Sequence, residues 1–160
     1  MSRNIQLLVN ILMVIIPWLS VPFMGIRNLK KFLPASLLVF LMGIIDVQIG
    51  KKRRWWTFYN KPSSYFLNEF PFHIGPFLVG SMWVLKWGYG SIPRFILLNV
   101  ITNAIFAGPL TSLTKNVKLF RTVWLSRIQF FFYFFYKSFF LYLFQRLFNA
   151  KKDTVSENNE

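Results

Sequence analysis

The chain has 160 residues, of which 54% are hydrophobic and only 15% charged, with 20 phenylalanines and no cysteine. Soluble domains carry about 25% charged residues, and one soluble core of this size does not hide so many rings. Without thiols there are no disulfides, no thiolate chemistry and no cysteine-ligated metals.

The net charge is +14. A basic chain raises nucleic acid as a partner, but here the cations sit in short clusters between apolar runs rather than along one face. That is the pattern of loops flanking membrane spans, not of a continuous wet groove for bases and phosphates. No nucleic-acid partner is expected.

Crossing the hydrocarbon layer takes about 20 mostly apolar helical residues, and lipid-exposed backbone must satisfy its own hydrogen bonds. The sequence predicts an all-α fold, a polytopic transmembrane bundle of about five helices, in one domain over residues 1–148. Span one covers about residues 5–25, with Pro17 and Pro22 in its second half, where a missing donor and a crowded ring predict a kink. A cleaved secretory leader is the lesser alternative, because Ser20-Val21-Pro22 is a poor cleavage site. If this first segment is re-entrant, four spans remain.

Span two covers about residues 32–50, opened by Pro34, with Asp46 near its far end. Residues 51–69 follow as a boundary loop. In it Lys51, Lys52, Arg53 and Arg54 precede Trp55 and Trp56, and the stretch Lys61-Pro62-Ser63-Ser64 reads as a turn. Cations beside tryptophans suit the headgroup layer, so these six residues are expected to meet anionic lipid, as a plain topogenic loop in the first place and as a dedicated lipid site in the second. Span three covers about residues 70–87. Its Gly75, Gly80 and Ser81 leave room for a neighbouring helix. Spans four and five cover about residues 92–113 and 123–148, and a disordered polar tail is expected over residues 149–160.

Polar groups inside spans are costly and are taken as candidate functional residues. Two groups result. At mid-depth, Lys137 is expected to reach Asn99 and Asn103 on the adjacent span, while Gln129, Tyr133, Lys137 and Gln145 share one stripe that should face protein. At the interface, Asp46, Glu69, His73 and Arg127 form a carboxylate–imidazole–guanidinium set, with Glu69 and His73 one helical turn apart, read first as an ion-pair network that pins helix ends and second as a proton or headgroup site. Rise per residue puts Asp46 roughly 7 Å deep and Lys137 near 20 Å from the same side. Asp46 is therefore expected to pair with Arg127, His73 or the basic run rather than with Lys137. Neither a phosphate-binding glycine loop, nor paired metal-ligand histidines, nor a nucleophile elbow is present, so no cofactor and no metal are expected.

The segments Phe58-Tyr59-x-Lys61-Pro62-x-Ser64-Tyr65, Pro71-Phe72-x-Ile74-Gly75-Pro76-Phe77, Arg94-Phe95-x-Leu97-Leu98-Asn99, and Arg127-Ile128-Gln129-Phe130-Phe131 leading to Tyr136-Lys137 carry a resemblance. The chain resembles a group of small uncharacterised multi-spanning membrane proteins from endospore-forming Gram-positive bacteria, over about residues 55–148. The resemblance implies a plasma-membrane location and carries no activity.

Three functions are expected in descending order. The first is a non-enzymatic membrane protein acting through a membrane-protein partner or as a homo-oligomer. The second is a small oligomeric transporter or channel subunit using Lys137. The third is a lipid-headgroup enzyme using Glu69, His73 and Asp46. The densest basic cluster, at residues 51–54, lies on the N-terminal side of a five-span protein, so a cytoplasmic N-terminus is expected.

Overall fold

A computed structural model describes residues 3–60 and 64–157; the Lys61-Pro62-Ser63 part of the expected turn lies outside them. The chain is mostly helical. Helix α1 is Arg3–Ser20, followed by a 3-10 turn at Val21–Met24, and α2 is Ile26–Lys52. Helix α3 comprises residues 69–88, α4 is Ile92–Asn116 and α5 is Arg127–Glu157. Three helical stretches are long and apolar enough to cross a membrane: Asn4–Met24, Ile26–Lys52 and Ile92–Asn116. The other two are long enough but diluted by tyrosine, tryptophan, serine, glycine and lysine.

Helix α2 starts six residues earlier than the apolar pattern suggests, because nothing between Ile26 and Pro34 breaks a helix that Gly25 has already turned. The backbone of Gly25 has φ +84, a left-handed value that an L side chain resists, and its amide closes on the Pro22 carbonyl. Pro34 thus lies inside α2, and Gln145 of α5 donates to the Lys31 carbonyl in the turn that the proline disturbs. Helix α5 likewise runs past Phe148 to Glu157, with no proline or glycine to stop it.

Helices α3 and α4 each change register once. A π turn covers His73–Phe77 in α3 and Phe106–Leu110 in α4. Each contains a Gly-Pro pair, Gly75-Pro76 and Gly108-Pro109. The proline has no N–H and its ring crowds the carbonyl one turn back, and a widened turn relieves both. The two turns meet through Phe77 and Phe106, whose ring centroids are 4.8 Å apart.

Helix α2 packs on α3 and α5, α3 on α4, and α4 on α5, which closes a ring of four. Helix α1 lies outside it against α3. There Gly75 meets the backbone of Met13 and Val14 so closely that any Cβ would strike the Met13 carbonyl. The expectation that Gly75 admits a helix holds; Gly80 instead has open space beside it.

One end carries a strand pair where the sequence predicts two loops. Strands β1 (Trp56–Phe58) and β2 (Phe120–Thr122) pair antiparallel, with Trp56 opposite Thr122 and Phe58 opposite Phe120. Phe58 and Phe120 point inward with rings 5.4 Å apart, while Arg121 points out. The pair ties the α2–α3 connection to the α4–α5 connection and caps an aromatic cluster of Phe58, Phe72, Phe120 and Phe130. A second apolar cluster, around Met24, Ala35, Met82 and Leu85, fills the opposite half of the ring. The phenylalanines therefore divide: some form the cap, whereas Phe23, Phe66, Phe132 and Phe139 are exposed.

Candidate functional site

Between the two apolar clusters lies a polar layer around a cavity of about 160 Å³. Helix α2 contributes Ser36 and Gly43, α3 contributes His73 and Ser81, α4 contributes Asn99, Thr102 and Asn103, and α5 contributes Lys137 and Ser138. The mid-depth group read from the sequence is thus assembled on one cavity.

Its bonding differs from expectation. The Lys137 ammonium does not donate to the asparagines; it pairs with Asp46 at 3.0 Å and sits 4.1 Å from the centre of the Tyr133 ring. The Tyr136 hydroxyl also donates to Asp46, at 2.5 Å. Asp46 and Lys137 meet despite the different depths of their backbones, for a directional reason. Side chains lean toward the N-terminus of their own helix. Antiparallel α2 and α5 therefore lean Asp46 and Lys137 toward one another, and the long lysine stem covers the remainder.

The two amides have separate duties. Asn99 donates to the Phe95 carbonyl at 2.8 Å and accepts from Ser138 Oγ at 2.6 Å. Asn103 Nδ2 is buried without a hydrogen-bond partner, and so is Ser36 Oγ, on a residue only 1% exposed. Buried polar groups are nearly always bonded, so two orphans on one cavity are informative. The sequence reading missed Ser36, Ser138 and Tyr136. Serine is too tolerable in an apolar helix to stand out, and Tyr136 is hidden in an aromatic run.

The interface group does not converge. Glu69 pairs with Lys51 at 3.0 Å and accepts from the Trp56 indole at 3.1 Å. Burial holds its carboxyl above the usual carboxylate range, against the opposing pull of Lys51 and Trp56. The His73 ring stands over Gly43, where a Cβ would come within 3.3 Å, and its Nδ1 lies 3.3 Å from the Tyr65 hydroxyl. Burial, helped by the Glu69 charge, also raises Tyr65. Asp46 is engaged elsewhere, and Arg127 reaches out to Ser112 on an exposed face at 3.2 Å. The expected Glu69–His73 contact and the fourfold cluster are thus corrected, because Lys51 and Trp56 reach Glu69 from the adjoining end of α2 and the strand after it.

The lipid-contact set divides as well. Lys51 and Trp56 turn inward, Trp56 lying so close over Gly50 that a Cβ there would strike its ring. Lys52, Arg53 and Arg54 stay exposed at the same end as Lys115, Lys118, Arg121 and Arg127, and Trp55 is half-buried against Tyr133. Gln129 is not on the protein-facing stripe. It is exposed and forms a reciprocal cap with Ser126 at the start of α5. Gln145 is fully buried, as that stripe requires.

Among the described residues there is no group of three or more His, Asp or Glu side chains placed to hold a metal. No family model, no curated protein and no solved structure matches this chain.

Proposed function

We propose that the chain is a plasma-membrane protein of five transmembrane helices whose central cavity binds a small polar solute, as the subunit of an oligomeric transporter or channel rather than an enzyme. The observation that carries this reading is the cavity itself. Lys137 of a buried ion pair, two asparagines and three serines line it, and two of its buried polar atoms have no partner. Buried charge inside a helical membrane protein is expensive and ordinarily marks a solute or proton site.

The membrane placement is supported by helix lengths that meet or exceed the ~20 residues a bilayer needs. Large apolar side chains such as Ile16, Leu19, Ile45, Leu97, Ile105, Phe132 and Leu147 cover the outside. The exposed cations at the β1–β2 end suit a cytoplasmic face in contact with anionic headgroups. A ring of four helices encloses little pathway, which favours self-association. The separation of Glu69, His73 and Asp46 into different bonds counts against a headgroup enzyme, since acid–base work needs shared hydrogen-bond reach.

The absence of cysteine makes the test direct. Single cysteines at Asn103, at Lys52 and in the 88–91 turn are treated in sealed vesicles with a membrane-impermeant thiol reagent. The expected result is labelling of the Lys52 and turn positions from opposite faces, with Asn103→Cys reacting through water. If Asn103→Cys stays unreactive from both faces while Lys52→Cys labels, the solute-site reading falls.

A further inference from the structure

We propose that the central cavity takes a short monocarboxylate on the Lys137 ammonium together with one proton on Asp46. This rests on the solute-site reading and names its ligand class.

The polar inventory sets the chemistry. Asn99 Oδ1 accepts from Ser138, and the Asp46 carboxylate, behind Lys137 rather than on the wall, holds Lys137 and Tyr136. Three buried polar atoms on the wall with capacity to spare can donate. Lys137 has three N–H bonds and one carboxylate partner, Asn103 Nδ2 has no partner, and the Ser36 hydroxyl has none. A ligand that satisfies them must bring acceptor oxygens, and a carboxylate brings two.

Size and lining set the rest of the ligand. A cavity of about 150 Å³ is filled by a guest of roughly six non-hydrogen atoms, and this one is about 160 Å³. Phe40, Phe77, Phe134 and Leu141 on its wall suit a short alkyl group. That composition fits an acid of two to four carbons better than a bare halide, which has no use for the apolar wall, and better than a long-chain fatty acid.

Charge balance brings in the proton. With Asp46 ionised and Lys137 charged, the site is neutral. A carboxylate entering alone would leave one net negative charge in a low-dielectric interior, where an unpaired charge is heavily penalised. Protonation of Asp46 removes it. A proton from water forms an O–H bond on Asp46, the Lys137–Asp46 ion pair is exchanged for a Lys137–ligand ion pair, and no electron moves. The groups facing Asp46 allow this. From α5 they are Lys137, Tyr133 and Tyr136, and the Tyr136 hydroxyl bonds either form of the acid. From α3 the only titratable neighbour is His73. Helix α4 presents neutral amides to the cavity.

The experiment is titration calorimetry on the full chain in detergent micelles near neutral pH. Sodium propionate is the probe, in two buffers of different ionisation enthalpy so that proton uptake is read directly. Saturable binding with one proton taken up per propionate is expected, with no competition from chloride and weaker binding of octanoate. In Asp46→Asn, Lys137 keeps its charge, so propionate still binds while proton uptake falls to none. Asp46→Asn/Lys137→Met leaves the interior neutral and loses binding. No saturable propionate binding by the unaltered chain, or proton uptake that persists in Asp46→Asn, overturns the proposal. If Asn103→Cys reacts with the aqueous reagent and propionate does not bind, this inference fails while the solute site stands; if neither occurs, both fail.

Discussion

Two lysine–carboxylate pairs in this molecule share a 3.0 Å separation and differ in everything around them. Lys51–Glu69 lies under the β1–β2 cap, where the Trp56 indole and the Tyr65 ring fill the space beside it. Lys137–Asp46 borders an open cavity whose other polar atoms are partly unpaired. In the cap the Glu69 carboxylate is held by Lys51 and the Trp56 indole, which join the end of α2 and strand β1 to α3. At the cavity, capacity is left over. An ion pair by itself does not identify a site; unused hydrogen-bonding capacity beside empty volume does.

The sharpest way to break the comparison is Lys137→Met. It strands a carboxylate in the interior and should cost about 3–5 kcal/mol, read by reversible unfolding in mixed micelles. Asp46→Asn/Lys137→Met should recover most of that loss. A smaller effect is expected in the cap. Lys51→Met leaves Glu69 with its Trp56 bond and should cost about 1–3 kcal/mol.

That second loss carries a pH signature. Because the folded Glu69 carboxyl is raised above its unfolded value, folding favours its protonated form. Its stabilising contribution is full below the unfolded value of about 4.3 and disappears as pH rises through the raised folded value. Without Lys51 the carboxyl rises further, so the deficit of Lys51→Met against the unaltered chain should shrink on acidification, as a melting series would show. The smallest effect belongs to Ser36→Ala. Removing a buried hydroxyl that has no partner should change stability by no more than about 0.5 kcal/mol. A large loss there would mean that the cavity wall is structural, and the two regions would no longer differ.

The long apolar runs placed all five helices, because a run of that length leaves the backbone one economical solution even where Pro17, Pro34, Pro76 and Pro109 interrupt it. The mid-depth set Lys137, Asn99 and Asn103 was legible for the same reason: a polar side chain inside such a run has few places to go. The partner of Lys137 was not legible. Counting residues from a helix end measures Cα depth, whereas the ion pair depends on the lean and length of two side chains. The β1–β2 pair was missed because Trp55-Trp56-Thr57-Phe58 carries both an interface signature and a strand signature. What decides between them is a second strand some sixty residues away, and no local pattern reports it. The π turns had a visible cause in two Gly-Pro pairs, but only their meeting through Phe77 and Phe106 puts them on the wall of one cavity.

Helix α1 touches the ring at points spread along its length. Gln6 and Asn10 bond the Leu67 carbonyl at one end, and the Trp18 indole bonds Ile74 in the π turn. Beyond it, Trp83 and Lys86 reach back to Ser20 and Phe23. All of these partners lie 56 to 63 residues later in the chain. At a synthesis rate of about 5–20 residues per second, the first helix waits several seconds before anything it is shaped to hold exists. During that interval Gln6 and Asn10 have no native partner, and the apolar run must keep the segment in place by itself.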